Sequence, residues 1–266
     1  MDLTKQAFTS ELTKVFNKNG LGSYLNAEIS DKFYTLTVKM LEENEKYNLT
    51  AIKEPKKIIL NHYADCVTLA SKIKKNATLV DVGCGAGFPS LPLAIVREDV
   101  KIFSIDSTAK RISYVNDVAA MLGLTNIRAE AMRAEDAGKS PELREKFDYA
   151  TARAVAEMRI LCELCLPMVK VGGSMIAMKG RNAEFELLDA KKAIAILGGG
   201  SVKVEKTSLS SEDEELSHPL IIVDKKTKTP AAYPRVYAQI SKKPLEAQYP
   251  NAAMLLTRPF FLFSLR

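Results

Sequence analysis

Three glycines and one aspartate carry the clearest chemical signal in the chain. Residues 79–88 read LVDVGCGAGF, an apolar run that enters Gly83, Gly85 and Gly87. Glycine has no Cβ, so such a turn bends sharply and lets backbone amides approach a ligand. In open α/β sheets a turn of this kind lies at the C-terminal strand ends, where ligands bind. A dinucleotide fingerprint needs G-x-G-x-x-G, but here the spacing is G-x-G-x-G, and Phe88 stands where the third glycine belongs. The loop therefore leans toward a cofactor without a pyrophosphate. Asp106 follows the next apolar run, 100–105, where a carboxylate can accept hydrogen bonds from both hydroxyls of a ribose. The same Asp suits the start of the helix carrying Arg111, Ile112 and Val115, and the two uses are compatible. Loop and carboxylate together point to an adenosine-containing ligand.

Other reactive groups are sparse. Histidine occurs twice, at His62 and His218, and no Ser/His/Asp arrangement stands out. Cys162 and Cys165 form a C-x-x-C inside a helical stretch, with no second pair, and Cys66 and Cys84 lie far along the chain. Zinc or redox chemistry is not expected, and the four cysteines read as free thiols of a reducing compartment.

The elements that must position these residues change character along the chain. Leu3, Ala7, Phe8, Leu12, Val15 and Phe16 recur at helical spacing until Asn19-Gly20. A second helix is predicted from an N-cap at Ser30 or Asp31, with Phe33, Leu36, Met40, Leu41, Asn44 and Tyr47 on one face. Pro55 fits the first turn of a third, carrying Ile58, Ile59, His62 and Tyr63. From residue 79 short apolar runs at 79–82, 102–105, 149–152 and 175–178 alternate with helical stretches, including 110–122 and 155–169. That alternation predicts a parallel sheet covered on both faces. Residues 202–205 and 220–223 read as an antiparallel hairpin, with a solvated loop holding Glu212, Asp213, Glu214 and Glu215. The division expected is a helical cap (1–70), an α/β body (71–223) and a C-terminal segment (224–266).

Charge is uneven. The 266 residues hold 38 Lys+Arg against 32 Asp+Glu, a formal net charge of +6. Residues 224–266 hold eight basic residues (Lys225, Lys226, Lys228, Arg235, Lys242, Lys243, Arg258 and Arg266) and two acidic ones, which equals the whole excess. A neutral body with a basic end reads as a protein that meets a polyanion, or as one with a solvated tail. A hydrophobic share of 47% and a charged share of 26% fit a globular protein and exclude disorder, collagen and a disulfide scaffold. No apolar run is long enough to span a bilayer, and no secretory signal is expected at the start.

The motifs resemble the bacterial glucose-inhibited division B family. They run in order: YNLTAI (47–52), NHYAD (61–65), LVDVGCGAGFPSLPLAI (79–95), IDSTAKR (105–111), MRAEDA (132–137), FDYATARAVAE (147–157), KVGGSMIAMKG (170–180) and YPR (233–235). The resemblance implies a Rossmann-like class I methyltransferase fold with a seven-stranded mixed sheet and a helical N-terminal cap. It implies methyl transfer from S-adenosylmethionine to N7 of a guanine, position 527 in the 530 hairpin of 16S ribosomal RNA. The substrate would be that RNA or a small-subunit precursor, met by a cytoplasmic monomer with no membrane attachment. By the same resemblance Gly83, Gly85, Gly87 and Phe88 serve the donor and Asp106 its ribose. Ala134 and Glu135 flank the adenine, and Arg153 sits beside the donor and faces the substrate; the other reading of Arg153 is a pairing with a nearby carboxylate that pins the sheet edge. Lys179, Arg235, Lys242 and Lys243 are candidate phosphate contacts.

Guanine N7 has a free lone pair, so the implied reaction needs no nucleophilic side chain or general base. Neither the Asn/Asp-Pro-Pro-aromatic motif of adenine amino methylation nor the Pro-Cys of cytosine C5 methylation occurs. The chain leaves the family pattern after Arg235. Where the family continues with Lys and then Gly-Thr-Pro, this chain reads Val236-Tyr-Ala-Gln-Ile240 before Lys242-Lys243. A catalytically silent RNA-binding module and a nucleotide-dependent oxidoreductase are the rival readings.

Overall fold

The computed structural model describes residues 3–245; Arg258, Arg266 and the unmatched stretch 246–266 lie outside them. Helix α1 (Lys5–Lys18) begins where the Thr4 hydroxyl accepts from the Ala7 N–H, and it ends at Asn19 as expected. Helix α2 (Ala27–Tyr47) starts earlier than Ser30. Asn26 is its cap, accepting from the Ile29 N–H, and Ser30 is buried on the inner face with Phe33, Leu36, Met40 and Asn44. A third helical run follows, built from α3 (Pro55–Ile58), a π-helical stretch (Ile59–Ala64), α4 (Asp65–Val67) and a 3₁₀ segment (Thr68–Lys72). The π stretch was not foreseen. Such widened turns concentrate at functional sites, and this one carries His62.

Strand and helix then alternate: β1 (Thr78–Val82), α5 (Ser90–Val96), β2 (Lys101–Asp106), α6 (Ala109–Met121), β3 (Ile127–Ala131), α7 (Ala134–Ala137), β4 (Phe147–Arg153), α8 (Met158–Cys165), β5 (Val169–Met178) and α9 (Ala183–Ile196). The hairpin β6 (Gly199–Ser210) and β7 (Glu215–Lys225) and the short α10 (Tyr237–Lys242) complete the described chain. The strand order is 3-2-1-4-5-7-6. β1 to β5 are parallel, and β7 runs antiparallel to both neighbours. This is the expected Rossmann-like class I methyltransferase fold with a seven-stranded mixed sheet.

Two elements differ from their sequence signals. Strand β3, at the sheet edge, was not foreseen, because Ile127 and Ala129 alternate with Arg128 and Glu130 and make no apolar run. The helix expected over 155–169 is only α8. Val169 already belongs to β5, which runs through Gly172 and Gly173 rather than stopping the chain there.

Period-two alternation sorts the core into two layers. Leu79, Ile102, Tyr149 and Ile176 pack with α1, α2, α5 and α6 on one face. Val80, Val82, Phe103, Ile105, Ala150 and Ala177 pack with α8 and α9 on the other. The acidic hairpin loop is pinned rather than simply solvated. The Lys56 ammonium donates to Asp213 at 2.8 Å, Asn61 donates to Glu214, and the Lys18 ammonium donates to the Ser211 carbonyl at 2.6 Å.

After β7 the chain returns along the α7–α8 side. The Arg144 guanidinium donates to the carbonyls of Gly138, Thr229, Pro230 and Tyr233, and Glu145 accepts from the Thr229 N–H. Among the described residues no helix is long and apolar enough to cross a membrane.

Candidate functional site

The C-terminal ends of β1, β2, β3 and β4 surround a cavity of about 260 Å³. Its walls include Gly83 after β1, Asp106 and Ser107 after β2, Met132 to Glu135 after β3, and Ala154 and Val155 after β4. Sheet order reverses between β1 and β4, so the cavity lies at the topological switch point, where open α/β sheets bind ligands.

The glycine loop is built to be thin. Gly83, Gly85 and Gly87 have φ of 72°, 55° and 84°, which L side chains rarely adopt. At Gly83 a Cβ would also lie 2.7 Å from Val155 Cγ2, so any side chain there would push on the cavity wall. The amides of Gly83 and Cys84 donate to the Ile105 carbonyl, tying the loop to β2.

Asp106 finishes that tie. Its carboxylate accepts from the Gly85 N–H at 3.1 Å and the Thr108 N–H at 2.8 Å, and Arg111 lies 3.6 Å away. Asp106 is 7% exposed and still lines the cavity. Each carboxylate oxygen has two lone pairs, so acceptor capacity is left for a ligand. Thr108, and not Asp106, is the N-cap residue of α6. Across the cavity stands Glu135, 9% exposed, in the first turn of α7 beside Ala134. The two carboxylates offer acceptors for hydroxyl and amino donors, and Arg111 and Arg133 share the wall with them.

The structure thus brings Gly83, Asp106, Ala134 and Glu135 together. Gly85, Gly87 and Phe88 shape the loop without reaching the cavity wall. Phe88 is buried behind it and stacks on His62, with ring centroids 4.4 Å apart at 18°.

Arg153 is bonded within the protein, the pairing expected as its second reading. Its guanidinium donates to the Asn61 carbonyl at 2.9 Å, to Asp65 at 3.3 Å and to His62 Nδ1 at 2.9 Å, and it lies 5.3 Å from the centre of the Phe88 ring. Arginine has no acceptor, so Nδ1 must offer its lone pair. His62 is then neutral, with Nε2 against the Thr50 hydroxyl at 2.9 Å. Burial, and then the Arg153 charge, hold its pKa down to about 3. The role of Arg153 visible in the fold is to join the β4 tip, the π-helical stretch and the glycine loop.

Two other expected phosphate contacts are also engaged internally. Lys179 donates to the Ala156 carbonyl and lies 2.6 Å from Glu186, with its side chain 10% exposed. Arg235 makes a two-pronged bond to Glu163, Nε to Oε1 at 2.8 Å and Nη2 to Oε2 at 2.7 Å. Lys242 and Lys243 are exposed. Lys225 is buried, with its ammonium on the Leu166 and Leu197 carbonyls, and burial lowers its pKa to about 8. The four cysteines are free and buried, and burial pushes their thiols up.

Sequence reading missed Met132, Leu164, Val155, Arg111 and Tyr237 as wall residues. For Tyr237 a signal existed, since it stands in the stretch that departs from the family pattern.

The family profile GidB, described as rRNA small subunit methyltransferase G, matches residues 29–216. A Clostridium perfringens protein named ribosomal RNA small subunit methyltransferase G is 46% identical over 230 residues, 86% of this chain and 95% of its own. One of the same name from Leuconostoc mesenteroides is 46% identical over 219 residues, 81% of this chain and 89% of its own. A third, from Lactobacillus acidophilus, is 45% identical over 228 residues, covering 83% and 94%. With a profile match over most of its length and relatives this close along nearly their whole chains, the protein belongs to the rRNA small subunit methyltransferase G family.

Proposed function

We propose that this protein transfers a methyl group from S-adenosylmethionine to N7 of a guanine in the 530 hairpin of 16S ribosomal RNA. The observation that carries the reading is the cavity at the switch point, with the Asp106 carboxylate at the end of β2 and the Glu135 carboxylate after β3. Its residues fit the donor. Asp106 is the acceptor for ribose hydroxyls, Ala134 and Glu135 border the adenine, and Gly83 gives a floor with no side chain.

Bound there, S-adenosylmethionine supplies a sulfonium methyl group that a lone pair can attack directly. Guanine N7 offers such a pair with no proton to remove. The demand on the protein is therefore positioning, which the loop meets by being tied to β2 through Ile105 and Asp106. The Arg153–His62–Phe88 assembly stiffens the opposite side of that loop.

In this reading residues 71–223 are the donor-binding body, 1–70 a helical cap and 224–266 the segment that meets RNA. The protein acts as a monomer in the cytoplasm, on 16S RNA or on a small-subunit precursor. Incubation with methyl-labelled donor and 16S RNA, free or in 30S particles, tests it. Label at N7 of one guanine is the expected result. Steeply salt-dependent RNA binding with no label in any substrate would instead mark a silent RNA-binding module.

A further inference from the structure

We infer that Tyr237 is the outer wall of the adenine subsite and covers one face of the donor's base. The inference rests on the donor reading above and adds a residue that the family motifs do not supply.

The local sequence explains why a side chain arrives there at all. Val236-Tyr-Ala-Gln-Ile-Ser contains neither Gly nor Pro, and it folds into the helix α10. The family pattern of Lys and then Gly-Thr-Pro would not continue as a helix. Helix α10 brings Tyr237 to the wall of the same cavity as Asp106 and Glu135.

Its position along that wall is set by packing. The Pro234 ring seats on Gly138, where a Cβ would lie 2.9 Å from Pro234 Cγ. The Gly138 N–H in turn closes α7 on the Ala134 carbonyl at 2.9 Å. The chain leading into α10 is therefore laid against the turn that carries Ala134 and Glu135, and α10 itself contacts α8, which supplies Leu164 to the wall. That packing sets the start of α10 beside the turn of Ala134 and Glu135, the part of the cavity assigned to the adenine.

Two anchors hold it. Before it, Glu163, whose side chain is fully buried, accepts from the Arg235 backbone N–H at 2.9 Å and from the guanidinium at 2.7 and 2.8 Å. After it, Ile240 is fully buried in the core layer under α8 and α9. Between these fixed points Tyr237 remains 41% exposed. A partly exposed aromatic residue on a cavity wall, between two anchored neighbours, is suited to stack on a planar base. Base–aromatic stacking changes affinity by about 5- to 100-fold when the ring is removed.

Calorimetric titration with S-adenosylhomocysteine tests the assignment without turnover. Tyr237→Ala should weaken binding at least about fivefold, and Tyr237→Phe should restore it to within about twofold. A thermal melt of each variant reports whether the two anchors keep the fold. At saturating donor the KM for RNA should not move. If wild type binds and Tyr237→Ala binds equally well, the assignment is overturned alone. If Tyr237→Ala leaves donor binding intact and raises the KM for RNA, the ring serves the acceptor and the assignment is again overturned. A wild-type chain that does not bind S-adenosylhomocysteine overturns the donor reading and this assignment with it.

Discussion

The two halves of the sheet's C-terminal edge hold their charges in opposite ways. Beside β2, Asp106 is fixed by the backbone N–H groups of Gly85 and Thr108 at 3.1 and 2.8 Å, with Arg111 farther off at 3.6 Å, and its carboxylate still lines the cavity. Beside β4 and β5 the cations meet internal acceptors: Arg153 at Asn61, His62 and Asp65, Lys179 at Ala156 and Glu186, and Arg235 at Glu163. A charge held by neutral amides stays available to a ligand. A charge whose bonding positions are filled by internal acceptors away from the cavity belongs to the fold. Residue type alone does not tell these apart; the identity of the partner does.

The largest effect should come from the half that serves the fold. Arg235→Ala leaves the fully buried Glu163 carboxylate without its cation, with only the backbone N–H of residue 235 still donating to it. Breaking a buried pair this way costs about 3–5 kcal/mol, a fall in Tm on the order of 10 °C for a chain of this size. Arg235→Lys should recover part of it, because one ammonium replaces a two-pronged fork. Unchanged Tm with weakened RNA binding would reverse the assignment of this half.

The next effect belongs to the cavity half. Asp106→Ala removes a charged acceptor and one tie of the glycine loop. Affinity for S-adenosylhomocysteine should fall about 10- to 100-fold, as expected for hydrogen bonds to a charged group. Donor affinity that does not change would remove Asp106 from the site.

His62 sharpens the contrast through pH. Its folded pKa is held near 3 by burial and by Arg153, against an ordinary value near 6.5. The unfolded chain therefore takes up this proton first, and the stability His62 contributes above pH 6.5 is lost as pH falls toward 3. The slope is about 1.4 kcal/mol per pH unit. Asp81, buried under the glycine loop and pushed up to about 7, has the opposite slope: its contribution is full below pH 4 and lost as pH rises toward 7. Comparing His62→Gln with wild type cancels the Asp81 contribution. In urea unfolding the variant should gain about 2 kcal/mol relative to wild type between pH 7 and pH 5. Parallel pH curves for the two proteins would mean that His62 is not held neutral.

The same contrast explains what could be read from the sequence. The glycine loop and Asp106 were legible because their partners lie on adjacent strands within one β-α-β unit, a pattern that local spacing records. The partners of Arg153 and Arg235 are not legible locally because they come from far along the chain, Asp65 at a separation of 88 residues and Glu163 at 72. Only the strand order brings those residues together. Strand β3 makes no apolar run because two of its five residues, Arg128 and Glu130, are charged and exposed. Tyr237 was visible as a departure from the pattern, but its place on the cavity wall depends on packing against Gly138.

The smallest expected effect divides the basic C-terminal segment itself. β7 is antiparallel, with Leu220 beside Met178 and Asp224 beside Ser174. Lys226 and Lys228 therefore lie at the edge opposite the cavity, whereas Lys242 belongs to α10, the short helix whose first residue, Tyr237, lines the cavity. All three are exposed and carry the same charge. If RNA approaches the cavity edge, Lys242→Ala should reduce the slope of log affinity against log salt by about one, with a severalfold loss at low salt. Lys228→Ala should leave both unchanged, because a phosphate held at the cavity edge lies beyond a Debye length of about 10 Å from the opposite one. Equal effects from the two substitutions would mean that the net charge attracts RNA without orienting it, and the contrast between available and internal charge would then stop at the donor cavity.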